Sequence, residues 1–124
     1  MRAYLFAVPA LLLGLTAAQA QGDCAIMQKL AQEHSNSMAQ RNMMDHAGFE
    51  ERARRGAKAE NVAYGAATKA GAMAMWLASP PHLANMLLPG CRGVASAVSR
   101  SGVRYWTMEI AKTATVRSRH AALH

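Results

Sequence analysis

Cysteine, aromatic residues and acidic residues are all scarce in this 124-residue chain. Its two cysteines, Cys24 and Cys91, are too few and too far apart for a zinc knuckle. No aromatic residue interleaves with the densest basic cluster, so the sequence does not favour a nucleic-acid-binding protein. The chain also lacks a His-Glu-x-x-His run and any serine, cysteine or threonine in a recognised nucleophile setting. The usual sequence signatures of a hydrolase are therefore missing.

The apolar stretch at the N-terminus is too short to serve as a membrane anchor. It runs from Tyr4 to Leu15, whereas a helix that crosses a bilayer needs about 20 apolar residues. A positive start, Met1-Arg2, precedes it, and Ala18-Gln19-Ala20 places small residues at the positions that a signal peptidase reads. We therefore predict a signal peptide over residues 1–20, cleaved after Ala20, and a mature protein that is secreted to a periplasm or to the extracellular space.

Export predicts a disulfide between the two cysteines. In an oxidising compartment an even pair of cysteines is bridged more often than free, so we expect a Cys24–Cys91 bond that closes a 67-residue loop. The alternative is two buried thiols. After the signal peptide, 104 residues remain, which is enough for one small domain.

Positive charge is in excess and is clustered. The chain carries 14 lysines and arginines against 7 acidic residues. Outside the cytoplasm, a positive surface favours anionic partners such as phospholipid headgroups or acidic wall polymers. The densest cluster contains Arg52, Arg54, Arg55 and Lys58, and a solvated face is the favoured interpretation of it, ahead of a dedicated binding patch.

Apolar spacing predicts helices followed by a β-hairpin, which is an α+β fold. The predicted helices are one that follows an Asp23 cap and runs to about Met43, then Phe49–Arg55, Lys69–Ala78 after a Thr68 cap, and His82–Leu88. A compact loop is predicted for Ala59–Gly65. The hairpin pairs Gly93–Val98 with Val103–Ile110 around a turn at residues 99–102. The polar tail over residues 113–124 is predicted to be disordered.

Five groups of short motifs follow one another in a recognisable order. They are His34-Ser35 with Met38-Ala39; 42–46 with Gly48-Phe49 and Arg52; 59–63; Trp76 with 79–87; and 93–95 with Tyr105-Trp106. In this order they resemble the CAP superfamily, also called the SCP-like extracellular domain, in its compact bacterial form. The resemblance implies an α-β-α sandwich over residues 21–112, in which helices are followed by a C-terminal β-hairpin in a small antiparallel sheet.

The resemblance also implies a cleft that holds two histidines and two acidic residues. It assigns His46 and His82 as the histidines and Glu60 as one acid. The second acid would be expected on the helix before Trp76, but residues 69–75 contain no aspartate or glutamate. Three interpretations stay open for this cleft: a structural polar cluster, a catalytic site, and a weak divalent-metal site, for example for Zn²⁺, with His46 and His82 as ligands.

Two further residues are interpreted from their local sequence. Asn61 is expected to cap or turn the backbone beside Glu60, because asparagine tolerates turn conformations. His34 lies on the apolar face of the first helix and is expected to have a core or boundary role.

The preferred function is a secreted, non-enzymatic binding module. Its expected partners are a lipid, an anionic envelope component or an extracytoplasmic protein, with peripheral membrane contact and without nucleic acid. The alternative is an extracytoplasmic hydrolase that uses His46, Glu60 and His82.

Overall fold

A computed structural model describes residues 10–113 of the chain. Its elements are α1 (Ala10–Arg41), α2 (Phe49–Arg54), β1 (Ala57–Tyr64), α3 (Lys69–Leu77), α4 (Pro80–Met86), β2 (Arg92–Val98) and β3 (Arg104–Ala111). The predicted tail, apart from Thr113, and the first nine residues of the predicted signal peptide lie outside the described residues. Within the described part of the chain, no helix is both long enough and apolar enough to cross a membrane.

The three strands form one antiparallel sheet in the order β1-β3-β2. The predicted β2–β3 hairpin is confirmed, and β3 occupies the centre, so β1 and β2 are both edge strands. The predicted loop over Ala59–Gly65 is wrong, because β1 occupies most of it. Five consecutive residues of β1, from 59 to 63, are buried or half-buried. A strand covered on both faces shows no alternation of polar and apolar residues, which is why its sequence gives no strand signal.

Helices cover both faces of the sheet, which confirms the predicted α-β-α sandwich. On one face, Met38 of α1 packs in a cluster with Tyr105 of β3. On the other face, Trp76 of α3 packs with Trp106 and Met108. Neighbouring residues of a strand point to opposite faces, so β3 contributes to both layers of the core.

Helix α1 lies in direct contact with the backbone of β2 at Gly93. A Cβ atom at this glycine would overlap the α1 backbone at Met27 and Gln28. Only glycine therefore permits the helix to approach the strand this closely, and the approach brings the polar side chains of α1 to the edge of the sheet.

The helix boundaries differ from the predicted ones mainly at their starts. Helix α1 begins at Ala10 and so extends beyond the predicted Asp23 cap, since the intervening alanines and leucines are strong helix formers. The Thr68 cap is confirmed, because its side chain accepts a hydrogen bond from the Gly71 N–H at 3.1 Å. Helix α4 begins two residues earlier than predicted, at Pro80, since proline suits the first turn of a helix.

The Cys24–Cys91 disulfide is confirmed. The two Cα atoms lie 5.1 Å apart, and the bond joins α1 to the residue before β2. It therefore fixes the helix against the edge strand at the same end of the sheet as Gly93.

Removing this bond tests its contribution to stability. In the chain-entropy model a closed loop of this length stabilises the fold by about 4 kcal/mol. We expect a Cys24→Ser, Cys91→Ser double variant to lose that amount in urea denaturation. An unchanged denaturation midpoint would show that helix packing alone holds α1 in place.

Candidate functional site

Two buried glutamates face each other across the β1–β3 pair. Glu60 and Glu109 are directly opposite in the strand register, and their side chains are 1% and 0% exposed. Like charges at opposite positions of neighbouring strands destabilise a sheet. The pair therefore requires a compensating positive charge or proton.

Arg52 of α2 supplies one positive charge for the two acids. Its Nε and Nη2 donate to Glu60 at 2.6 and 3.0 Å, and its Nε lies 3.1 Å from Glu109 Oε1. Its Nη1 also donates to the Ala47 carbonyl at 2.8 Å, so the chain entering α2 orients the guanidinium. The contact between Arg52 Nε and Glu109 does not have the geometry of a hydrogen bond, and within the described residues neither Glu109 oxygen accepts a hydrogen bond. Arg52 therefore neutralises Glu60 and leaves Glu109 to be neutralised by a proton.

The protonation of the two acids follows from their surroundings. Burial, then the hydrogen bond to Glu60 and the charge of Glu60, raise the pKa of Glu109 to about 10. Burial opposes ionisation of Glu60 as well, but hydrogen bonds from Glu109, Arg52 and His46 hold the pKa of Glu60 below its usual value. At neutral pH a protonated Glu109 donates to an ionised Glu60, and the pair carries one proton.

His46 connects this acid pair to solvent. Its Nδ1 donates to Glu60 Oε1 at 2.8 Å, and its side chain is 55% exposed. The bond to Glu60 fixes the imidazole and leaves Nε2 as the ring nitrogen available to a ligand. His46 and Glu60, which were assigned from separate motifs, are therefore brought together.

His34 is buried on α1, in line with its expected core role, and also borders the acid pair. Its Nε2–H donates to the Asp45 carbonyl at 2.7 Å and lies 3.6 Å from Glu60 Oε1. Burial lowers the pKa of His34, so it adds no positive charge at neutral pH. Arg41 holds the pKa of the nearby Asp45 carboxyl down to about 2.

His82 and Asn61 lie on the opposite side of the sheet from the acid pair. Asn61 follows Glu60 in β1, so its side chain points to the α4 layer and donates to the His82 carbonyl at 3.0 Å. Asn61 therefore attaches α4 to the sheet, and the expectation that it caps or turns the backbone is wrong. Asn85 extends this link by donating to Asn61 Oδ1 at 2.9 Å. No hydrogen bond described in residues 21–113 joins the His82 ring to His46 or Glu60.

A shallow pocket opens at the edge of β1 beside His46. Its volume is about 260 Å³, and it is lined by His46, Phe49, Lys58, Ala59, Glu60 and Asn85. No three histidine, cysteine, aspartate or glutamate side chains in the described part of the chain are arranged to hold a metal ion. Weak metal binding by His46 and His82 stays a prediction from the sequence.

The basic cluster does not form one continuous patch. Arg52 is buried with the acids, while Arg54 pairs with Glu51 and Arg55 pairs with Glu33, each at 2.7 Å. Lys58 is exposed, lines the pocket and has no ion pair to any described residue. Of these four side chains, Arg52 is therefore part of the buried acid cluster, and Lys58 is the one exposed in the pocket.

The roles of Glu109 and Arg52 were not predicted from the sequence. A second acid beside Glu60 comes from β3, so the cleft holds two acids although the helix before Trp76 carries none. One signal was present, since Glu109 is the charged residue in a segment from 105 to 111 whose other residues, apart from Thr107, are apolar or aromatic. A charge in a central strand is seldom tolerated without a buried partner.

Comparison of the chain with models of known protein families identifies one matching family. The model of the Cysteine-rich secretory protein family, CAP, matches residues 20–110. A search of curated proteins found no match.

Replacing Arg52 tests its place between the acids. We expect Arg52→Ala to lower the free energy of unfolding by about 3–5 kcal/mol, because it leaves a buried carboxylate without its partner. Arg54→Ala is the matched control in the same helix, and loss of its exposed ion pair should cost at most about 1 kcal/mol. Equal effects of the two substitutions in urea denaturation would contradict this role.

Replacing Glu109 tests its protonation. The pKa of Glu109 in the folded state is raised above the usual 4.5. The contribution of this group to the free energy of unfolding is therefore fully present below pH 4.5 and is lost as the pH rises toward 10. Glu109→Gln keeps the shape and a donor to Glu60, so its melting temperature should exceed that of the wild type at pH 8 and match it near pH 4. A wild-type advantage that grows from pH 5 to pH 9 would show that Glu109 is ionised in the fold.

Proposed function

The chain belongs to the Cysteine-rich secretory protein family, CAP, and on that premise we propose that it is a secreted, non-enzymatic binding module. Its pocket at the β1 edge takes the anionic group of a lipid or of another envelope component. The main support for this proposal is that both carboxylate oxygens of Glu60 accept hydrogen bonds from Arg52 and His46. The acid is thereby held inside the protein, and the polar side chains that face outward in the pocket include the cationic Lys58 and the imidazole of His46.

Charge and shape both favour an anionic amphiphile. Arg52 neutralises Glu60, and Glu109 is protonated. The charge of Lys58 therefore makes the pocket positive overall. The exposed Nε2 of His46 offers a second polar contact. Phe49 adds an apolar wall, and the Arg52 guanidinium lies 5.9 Å above its ring. A phosphate or carboxylate beside an acyl or glycan chain matches this combination of groups.

Export fits the covalent structure of the chain. The Cys24–Cys91 bond is of the kind that persists in oxidising compartments, and the predicted signal peptide provides the route there. An exported, basic protein of this kind would meet anionic lipid headgroups and wall polymers at the envelope surface. Peripheral membrane contact, rather than insertion, is the expected mode.

The second candidate function is that of an extracytoplasmic hydrolase. One observation favours it, namely the 2.8 Å bond from His46 to Glu60, which orients an exposed imidazole as a carboxylate does in many general-base sites. Among the described residues, however, the pocket lining includes no hydroxyl or thiol that could act as a nucleophile. His82 is bonded to β1 through its main-chain carbonyl, not through its ring. A hydrolase would therefore have to activate water directly.

Vesicle binding tests the proposed function. We expect the protein to sediment with phosphatidylglycerol vesicles and not with phosphatidylcholine vesicles. Lys58→Ala should weaken binding about fivefold, since one basic residue near an anionic surface contributes about 1 kcal/mol. Arg54→Ala removes the same charge from a side chain outside the pocket and should have a smaller effect.

Two further measurements separate the ligand sources and the alternative function. NMR titration with inorganic phosphate that shifts His46, without vesicle binding, would point to a soluble phosphorylated ligand. Loss of vesicle binding that is equal for Lys58→Ala and Arg54→Ala would contradict the pocket as the binding site. Ester turnover by the wild type that is abolished by His46→Ala would replace the binding module with the hydrolase.

A further inference from the structure

The edge strand β2 is covered by amide side chains of α1 instead of by a fourth strand. The Gln28 side chain accepts from the Val94 N–H at 3.0 Å and donates to the Val94 carbonyl at 2.8 Å. Gln32 donates to the Ser96 carbonyl at 3.0 Å. These backbone groups point away from β3, and the two glutamines replace the strand that would otherwise bind them.

The amide side chains continue along α1 with a spacing of four residues. Gln28, Gln32, Asn36 and Gln40 follow one another at this interval, which places them on one face of the helix. Gln32 also donates to Asn36 Oδ1 at 2.9 Å. Two members of the series bind the strand, and the last two lie farther along the same face.

The next outward-facing position of β2 is Val98. Outward and inward backbone groups alternate along an antiparallel strand, so Val98 follows Val94 and Ser96. Across residues 21–113, the structure describes no hydrogen bond to the Val98 N–H or carbonyl, and none to the Gln40 amide. The edge of the sheet is therefore left open at its last position.

A groove of about 450 Å³ lies at this position, between the C-terminal half of α1 and the end of β2. Its lining includes Asn36, Ala39 and Gln40 from the helix, with Ala97, Val98 and Arg100 on the other side. Val98 is 49% exposed, which is high for a β-branched side chain in a strand. The groove thus combines open backbone groups, side-chain amides and an exposed apolar side chain.

We propose that this groove binds an extended polypeptide segment of a partner protein, which pairs with Val98 as a short fourth strand while Asn36 and Gln40 bond its peptide groups. Strand addition of this kind takes its affinity from main-chain hydrogen bonds and its specificity from alternate side chains. A peptide group matches the site because it offers a donor and an acceptor together, as the Gln28 amide does at Val94. Arg100 favours an acidic residue in the segment.

This site is separate from the pocket beside His46. The two lie on opposite edges of the sheet, because β1 and β2 flank β3. Peptide binding at Val98 is therefore independent of the proposed function of the pocket, and both sites can be occupied in one molecule.

The test is an NMR titration of the full chain with the blocked peptide acetyl-Thr-Val-Asp-Val-Thr-amide. Binding should shift the backbone amides of Ala97, Val98 and Ser99 and the side-chain amides of Asn36 and Gln40. Val98→Pro removes the outward N–H at a position where an edge strand tolerates proline, and should weaken binding at least about tenfold. Val98→Thr keeps the N–H and the β-branched shape, and should bind as the wild type does.

Three results would overturn the inference. The first is the absence of shifts at millimolar peptide, and the second is equal binding by Val98→Pro and Val98→Thr. The third is that the same residues shift when the protein is concentrated without peptide, which would make the groove a self-association surface. Circular dichroism of each variant establishes that it keeps the wild-type fold before the comparison is made.

Discussion

Glu60 and Glu109 face each other across the central strand pair, and the guanidinium of Arg52 lies between them and α2. The sheet, α2 and the pocket all depend on this one arrangement. Without the positive charge, two carboxyl groups would be buried at a distance where they repel each other. With it, Glu60 is ionised, Glu109 keeps its proton, and His46 is held at the surface by the ionised acid. The helix that carries Arg52 is thereby fixed to the sheet by polar contacts, whereas α1 is fixed by apolar packing, the disulfide and the bonds of its glutamines to β2.

The arrangement also determines what the pocket can do. Because the charge of Glu60 is satisfied from within, the pocket presents His46 and Lys58 to solvent, which accounts for the proposed preference for anionic ligands. A general base of the usual kind would need a carboxylate or imidazole that is free to accept a proton from a bound substrate. The buried acids do not meet this requirement, and only His46 approaches it.

Much of the fold could be predicted from the sequence, and the reason differs from element to element. The β2–β3 hairpin and the Thr68 cap were predicted because turn residues and cap residues act locally. The disulfide was predicted because an exported chain with two cysteines has one way to pair them. Strand β1 was missed because its burial on both faces removes the alternation that identifies a strand. Long-range contact, rather than local preference, makes these residues a strand.

The site was predicted in part for the same reason. His46 and Glu60 were assigned from family motifs, and they do meet. The position of His82 was not predictable from its motif, because the face of the sheet on which Asn61 holds α4 depends on the strand register. Glu109 was not predicted as a site residue, because its partner Glu60 is 49 residues away in sequence and becomes a neighbour only when β1 pairs with β3.

The protonation of Glu109 is the most direct test of the central claim. Carboxyl ¹³C chemical shifts of the assigned glutamates, followed by NMR from pH 3 to pH 10 in the folded wild-type protein, report each carboxyl group separately. The structure predicts that the Glu109 carboxyl stays at the shift of a protonated acid through neutral pH and moves only in the alkaline range, while Glu60 is already ionised. A Glu109 signal that titrates near pH 4.5 would contradict the account, because both acids would then be ionised and one arginine could not hold them together.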